Sequence, residues 1–273
     1  MQFDVNASST YAYTGARAFD PSLPSVLFVH GAGLDHTVWI LQSRWFAHHG
    51  YNAIAVDLPG HGRSAGSAPA SIEAMAAWLW HCVDALGIER ACLVGHSMGA
   101  LVTLAASAAQ PERVDFAALL GIAVPMPVSD ALLAAAGEHP HDAHTMITLW
   151  GHGFAAQLGG NRAPGMWMTG SAMRLLARGT AGLLHNDLAA CNRYDAGLEH
   201  AARVRCPVLL LLGRQDIMAS PRAIGPLRAA LAHAQLLELD RCGHMMMAEQ
   251  PDQVLDALAH GVAQVSGARR KAS

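Results

Sequence analysis

The sequence predicts an α/β fold: a mostly parallel sheet with helices on both faces and a helical insertion near the middle of the chain. Three observations predict it. Short apolar runs alternate with longer helical stretches from about residue 24 onward. Those runs are continuous in apolar character, as strands covered on both faces are. Between residues 123 and 205 the alternation stops, leaving a strandless stretch too long for an ordinary connection.

Each element has its own signal. Residues 2–18 alternate polar and apolar side chains, which fits an antiparallel hairpin at the sheet edge. Residues 25–29, 52–56, 91–94 and 116–122 read as buried strands, followed much later by 208–212 and 235–239. Helices are expected over residues 38–49, stopped by Gly50, and over residues 71–86, with Ser71 as N-cap, Glu73 in the first turn and Gly87 as the stop. Two more are expected over residues 98–109, ended before Pro111, and over residues 251–265. Parallel strands need crossovers, which these helices supply. The core is therefore assigned to residues 1–122 and 206–273, with residues 123–205 as a helical cap over one end of the sheet.

Composition narrows the function. At 273 residues the chain is long enough to bury a sizeable core. Its hydrophobic fraction is 52% and its charged fraction 14%, which excludes a disordered chain. The formal charge is -3, with no basic stripe before Arg269-Arg270-Lys271, a tail expected to fray, and this argues against a nucleic-acid binder. The longest apolar stretches, residues 116–128 and 207–213, are shorter than the roughly 18 residues needed to span a membrane. Met1-Gln2-Phe3-Asp4 lacks the basic and apolar regions of a signal peptide, so a cytoplasmic location is expected. Five scattered cysteines without CxxC spacing fit reduced thiols there.

The sharpest motif is Gly95-His96-Ser97-Met98-Gly99, between a predicted strand and a predicted helix. That context is what a nucleophile elbow requires. Side chains beside the serine must be small in so tight a turn, and the two glycines have none. A serine hydroxyl needs an adjacent base. His244, in Arg241-Cys242-Gly243-His244-Met245, follows the last predicted strand, and Asp216 follows the strand before it across Gly213-Arg214-Gln215. The order Ser97, Asp216, His244 matches one known triad arrangement. Asp57, within Asp57-Leu58-Pro59-Gly60-His61-Gly62-Arg63-Ser64, reads as part of a shaped loop, and Asp240 lies too near His244 along the chain to be the acid.

An oxyanion hole needs backbone donors aimed at developing charge. Met98 N–H follows the nucleophile, and His30-Gly31-Ala32-Gly33 offers Ala32 as the second donor. His30 is then structural, and the His96 side chain is expected to point away from the nucleophile.

These residues resemble the α/β-hydrolase fold family, and in particular its serine esterases and enol-lactonase-like members. The resemblance rests on His30-Gly31-Ala32-Gly33 with Trp39 downstream, the loop from Asp57 to Ser64, the Gly95–Gly99 elbow, Gly213 to Asp216 and Gly243-His244. Asp187-Leu188-Ala189-Ala190-Cys191-Asn192 is similar to a segment that precedes the late core strands in enol-lactonase-like members. The resemblance implies an eight-stranded, mostly parallel sheet with a helical cap. Ser97 sets the chain apart from haloalkane dehalogenases and epoxide hydrolases, which carry Asp at the elbow. Carbon–carbon bond hydrolases, cofactor-free perhydrolases or haloperoxidases, and hydroxynitrile lyases share the serine and stay open as alternatives, as does a ligand-binding protein without turnover.

The expected substrate is a small, largely apolar ester or lactone, and no basic cluster at the motifs favours a highly anionic one. Trp39, Met98, Met126, Trp150, Trp167, Met218 and Met245 are the candidate pocket residues, flexible methionines being suited to apolar groups. No metal is expected: His139-Pro140-His141-Asp142-Ala143-His144 has no zinc spacing, and Pro140 favours a solvated loop. No organic cofactor is expected either, since no GxGxxG opens a helix. Nucleic acid and membrane are excluded as partners, and a homodimer is left open.

Overall fold

A computed structural model of the protein describes residues 1–160 and 166–272. Eight strands form one sheet: β1 (Gln2–Val5), β2 (Ser8–Tyr13), β3 (Ser25–Val29), β4 (Asn52–Val56), β5 (Ala91–His96), β6 (Val114–Leu120), β7 (Val208–Gly213) and β8 (Gln235–Leu239). Their order is β1-β2-β4-β3-β5-β6-β7-β8. The first two strands form the expected antiparallel hairpin, and β2 meets β4 antiparallel; every later pairing is parallel.

Both faces of the sheet are covered, which is why its strands are apolar throughout. Leu27, Val29, Ile54, Val56, Leu93, Leu210 and Leu212 face the helices Ile72–Ala85 and Met98–Ala109. Val26, Phe28, Ala53, Ala55, Val94, Leu209 and Leu211 face Ile40–Ala47 and Pro251–Ala272. Ser71 caps the helix Ile72–Ala85 by accepting the Ala74 N–H at 3.2 Å, as the sequence suggests. The last helix runs past residue 265 to Ala272 and takes in the tail expected to fray.

Register places the functional loops at one level. Val29 pairs with Val56 and with Gly95, His96 with Leu120, and Leu120 with Leu211. The turns after β3, β4, β5, β6 and β7 therefore leave the same edge of the sheet. The chain reverses its winding direction between β3 and β5, where a crevice opens at the carboxyl ends of parallel strands.

Between β6 and β7 lie six helices among the described residues: Asp130–Glu138, Pro140–Gly151, Phe154–Gln157, Met168–Leu176, Leu183–Arg193 and Gly197–Arg203. One correction concerns the histidine run. Residues 140–144 lie in a helix, not a loop, because Pro140 occupies the first turn, where no N–H is required. Leu132, Ala136, Leu176, Leu184 and Leu188 of this insertion cluster with Leu34 and Met245 from the core loops. No helix among the described residues is long and apolar enough to cross a membrane. All five cysteines are buried.

Candidate active site

The chain after β5 turns so sharply that Ser97 has φ 55° and ψ -120°, a backbone state that L-residues rarely adopt. Its neighbours leave no room for side chains. A Cβ on Gly95 would lie 2.0 Å from the Gly99 carbonyl oxygen, and one on Gly99 would lie 2.3 Å from the Val29 carbonyl oxygen. Ser97 N–H donates to Leu120 O at 2.9 Å, fixing the elbow to the end of β6. Met98 opens the next helix, so its N–H lies outside the intrahelical ladder and faces the turn.

Asp216 and His244 come together from the turns after β7 and β8. His244 Nδ1 donates to Asp216 Oδ2 at 2.7 Å, and the other Asp216 oxygen accepts the N–H groups of Met218 and Ala219, both at 2.8 Å. Burial pushes the Asp216 carboxyl up, but the His244 charge and these hydrogen bonds outweigh it and hold the group below the usual carboxylate range. With Nδ1 donating, Nε2 is the ring's basic nitrogen; it is buried and has no hydrogen-bond partner among the described residues. Ser97 and His244 line the same cavity.

The two turns also brace each other. A Cβ on Gly213 would lie 2.1 Å from Gly243 O, and Gln215 N–H donates to Cys242 O at 2.8 Å. Gly121, with φ +59°, leaves the space that the imidazole fills: a Cβ there would lie 3.0 Å from His244 Nδ1 and Cε1. The apolar run predicts a strand through residue 122 and gives Gly121 no role, whereas the strand ends at Leu120. Asp240 lies elsewhere, paired with Arg214 at 2.8 Å on the surface.

His96 lines the same cavity as Ser97 and bears directly on the site. Its Nε2–H donates to His244 O at 2.9 Å, and its ring packs 4.7 Å from the His244 ring. Burial, and next the His244 charge, lower its pKa to about 3, so this ring stays neutral.

The loop after β3 presses against the elbow. A Cβ on Gly31 would lie 3.2 Å from Ser97 Cβ. His30 shapes this loop: Nδ1–H donates to Gly31 O at 2.9 Å, and Nε2 accepts the Leu58 N–H at 3.2 Å. Burial, then the His61 charge, lower its pKa to about 4, in keeping with that neutral tautomer. Asp57 is a loop brace. Its oxygens accept from the His36 backbone at 2.7 Å, the His36 ring at 2.8 Å and Arg63 N–H at 2.9 Å. Asp35, His36 and Asp57 hold ligand-type atoms within 4.8 Å of one another, but these N–H donors already engage the Asp57 oxygens, and Thr37 donates to Asp35.

The cavity above Ser97 measures about 190 Å³, below the ~300–1,000 Å³ of clefts for drug-sized ligands. Ala32, Met126, Trp150, Met218 and Met245 line it, and among the described residues no Lys, Arg, Asp or Glu does. Three expected pocket residues lie elsewhere. Trp39 and Met98 are fully buried in the core, Trp39 against Phe28, and Trp167 is 73% exposed. Sequence missed Leu132, Ile147, Leu176, Leu188 and Ile217, whose side-chain directions depend on how the insertion folds back.

Comparison with known proteins places this geometry in a wider group. The chain is 24% identical over 240 residues to the (E)-2-((N-methylformamido)methylene)succinate hydrolase of Acinetobacter baylyi, covering 85% of this chain and 88% of that protein. It is 27% identical over 260 residues to the putative carbamate hydrolase RutD of Escherichia coli O6:H1, covering 88% of each. In fold it matches the enol-lactonase from Burkholderia xenovorans LB400 with a TM-score of 0.83 at 20% identity, over 96% of this chain and 100% of that one. A family model described as "Alpha/beta hydrolase family" matches residues 26–257, and the chain belongs to that family.

Proposed function

We propose that the protein is a serine hydrolase of small, uncharged carboxylic esters or lactones, acting through an acyl-enzyme. The observation that carries this reading is Ser97, held at a strained elbow, sharing a cavity with a histidine whose Nδ1 is fixed by Asp216 and whose Nε2 has no partner among the described residues. Ser97 Oγ attacks the carbonyl carbon as its proton passes to His244 Nε2. Asp216 orients the ring and stabilises the imidazolium that forms. The N–H groups of Ala32 and Met98 receive the oxyanion. The tetrahedral intermediate collapses, the C–O bond breaks, and the leaving alkoxide takes the proton from Nε2. Water then gives a proton to Nε2 and attacks the acyl carbon; a second collapse releases the acid and returns the proton to Ser97.

The cavity lining supports an uncharged substrate. A carboxylate buried there without a cation would cost several kcal/mol. The succinate hydrolase relative acts on a dicarboxylate by its name, and among the described residues this cavity has no Lys or Arg to match one.

The test is hydrolysis of p-nitrophenyl esters of increasing chain length by the wild type and Ser97→Ala. Turnover lost in the variant is expected, with a chain-length optimum set by the cavity. Full turnover in Ser97→Ala would sink the mechanism. Folded wild type that cleaves no ester, but does cleave a carbamate or a vinylogous diketone acid, would move the reading to another bond.

A further inference from the structure

We infer that Asp187, on the insertion helix Leu183–Arg193, is a positioning residue for the oxyanion loop and acts together with His61. The inference rests on the serine-hydrolase reading above. Asp187 is fully buried, 154 residues along the chain from its partner in the loop after β3. One oxygen, Oδ2, accepts the Gly33 N–H at 2.9 Å and the His61 Nε2–H at 2.8 Å. Gly33 directly follows Ala32, the proposed oxyanion donor. Fixing the Gly33 N–H therefore fixes the peptide that leaves Ala32.

His61 lies in the loop after β4 and is itself buried. Its Nδ1 meets Pro59 O at 3.0 Å while Nε2 meets Asp187, so both ring nitrogens face acceptors. Only the doubly protonated ring satisfies both. Burial works against that charge, but Asp187 overcomes it and raises the His61 pKa. The other titratable groups facing His61 are Asp57, held by His36 and Arg63, and the neutral His30, whose ring lies 4.8 Å away. The result is a buried ion pair joining three segments: the oxyanion loop, the loop after β4 and the insertion.

A second observation places the oxyanion loop against the same helix. A Cβ on Gly33 would lie 2.9 Å from Leu184 Cδ1 and 3.2 Å from Leu176 Cδ2. On the next turn, Leu188 and Cys191 line the substrate cavity. One helix thus shapes the pocket and holds the hydrogen-bond donor loop, which couples substrate fit to transition-state stabilisation. A helix that only covered the site would have no reason to bury a carboxylate on a glycine N–H.

The test compares wild type with Asp187→Asn, His61→Leu and His61→Gln. The readouts are kcat and KM on the best p-nitrophenyl ester, and the rate at which an alkyl fluorophosphonate labels Ser97, whose phosphoryl oxygen needs the same donors. Asp187→Asn is expected to lower kcat about 10- to 100-fold, less than the ~10²–10³-fold of losing a donor outright, with KM within about twofold. Labelling should slow in parallel. His61→Leu should act alike, and His61→Gln, which keeps a donor at the Nε2 position, should recover most of the loss. Should Asp187→Asn fail to fold, the His61 pair decides alone. A folded Asp187→Asn with unchanged kcat, a change confined to KM, or equal rates in His61→Leu and His61→Gln overturns the inference. Wild type that neither cleaves esters nor labels at Ser97 marks failure of the serine-hydrolase reading itself, and the inference falls with it.

Discussion

Replacing Gly121 with alanine tests how tightly the proposed base is confined. The new Cβ would sit 3.0 Å from His244 Nδ1 and Cε1 and would need about 0.4 Å more to reach ordinary contact at 3.4 Å. The imidazole has little freedom to give way. Asp216 holds Nδ1 at 2.7 Å, and His96 holds the His244 carbonyl at 2.9 Å. If a 1 Å misplacement is worth about 100-fold in rate, a 0.4 Å retreat is worth roughly 5- to 10-fold in kcat/KM. Residue 121 also has φ +59°, so alanine there adds about 1–2 kcal/mol of backbone strain. That lowers Tm by about 2–8 °C, at roughly 2–4 °C per kcal/mol for a chain near this size. Ester kinetics at 25 °C and a thermal melt separate the two effects, because a protein with about 5–15 kcal/mol of stability stays folded during the assay. A variant that loses stability but keeps kcat/KM within about twofold of wild type would refute the confinement argument.

Further outcomes follow from the same geometry. Ser97→Gly and Ser97→Ala both lack the hydroxyl and should be inactive. Ser97→Gly should nevertheless be the more stable in urea by about 1 kcal/mol, because glycine removes ~1–3 kcal/mol of strain at φ 55° against ~0.4–1 kcal/mol of unfolded-chain entropy; equal midpoints would argue against strain at the elbow. Asp216 has a lowered folded pKa, so its ionised form stabilises the fold above the unfolded value near 3.9, and that contribution is lost as pH falls through the folded value. The stability gap between wild type and Asp216→Asn, measured by urea unfolding from about pH 5 to pH 2, should therefore shrink on acidification; a constant gap would sink the assignment. A neutral p-nitrophenyl butyrate should exceed the mono-p-nitrophenyl ester of succinate by at least about tenfold in kcat/KM, since 1.4 kcal/mol of desolvation already gives that factor; parity would show that the cavity accommodates an anion.

The elbow was legible because its constraint is local. Gly95 and Gly99 are four residues apart; the clash that requires Gly95 arises within one strand–turn–helix unit, and Gly99 meets the Val29 carbonyl of the neighbouring strand β3. Asp216 and His244 were legible for a different reason: parallel strands put their following turns on one edge, so chain order translates into spatial proximity. Side-chain direction was not legible. Trp39 follows the loop after β3 closely in sequence, but it enters the core beside Phe28 with ring centroids 5.4 Å apart. Trp167 is hydrophobic yet faces outward at the start of an insertion helix. Strandless sequence carries no register, so nothing in it tells which face of a helix meets the core. The His61–Asp187 pair spans 126 residues and joins two segments with no shared pattern. Composition cannot reveal such a contact; the resemblance of residues 187–192 to a segment of enol-lactonase-like members gave Asp187 no role.

The insertion is also stitched to the turn that carries His244. Met245 N–H donates to Gly151 O at 2.8 Å, and Glu249 accepts the N–H groups of both Gly153, at 2.9 Å, and Gly243, at 3.0 Å. A Cβ on Gly243 would lie 2.5 Å from the Gly153 nitrogen, so the two backbones are in contact. This seam limits how the protein can diversify. Transplanting the insertion from a relative as a cassette would break pairings at Gly151, Gly153 and Asp187 at once and disturb the turns beneath. New specificity is more readily reached by exchanging single wall residues such as Leu132 or Ile147, which line the cavity and take no part in these pairings.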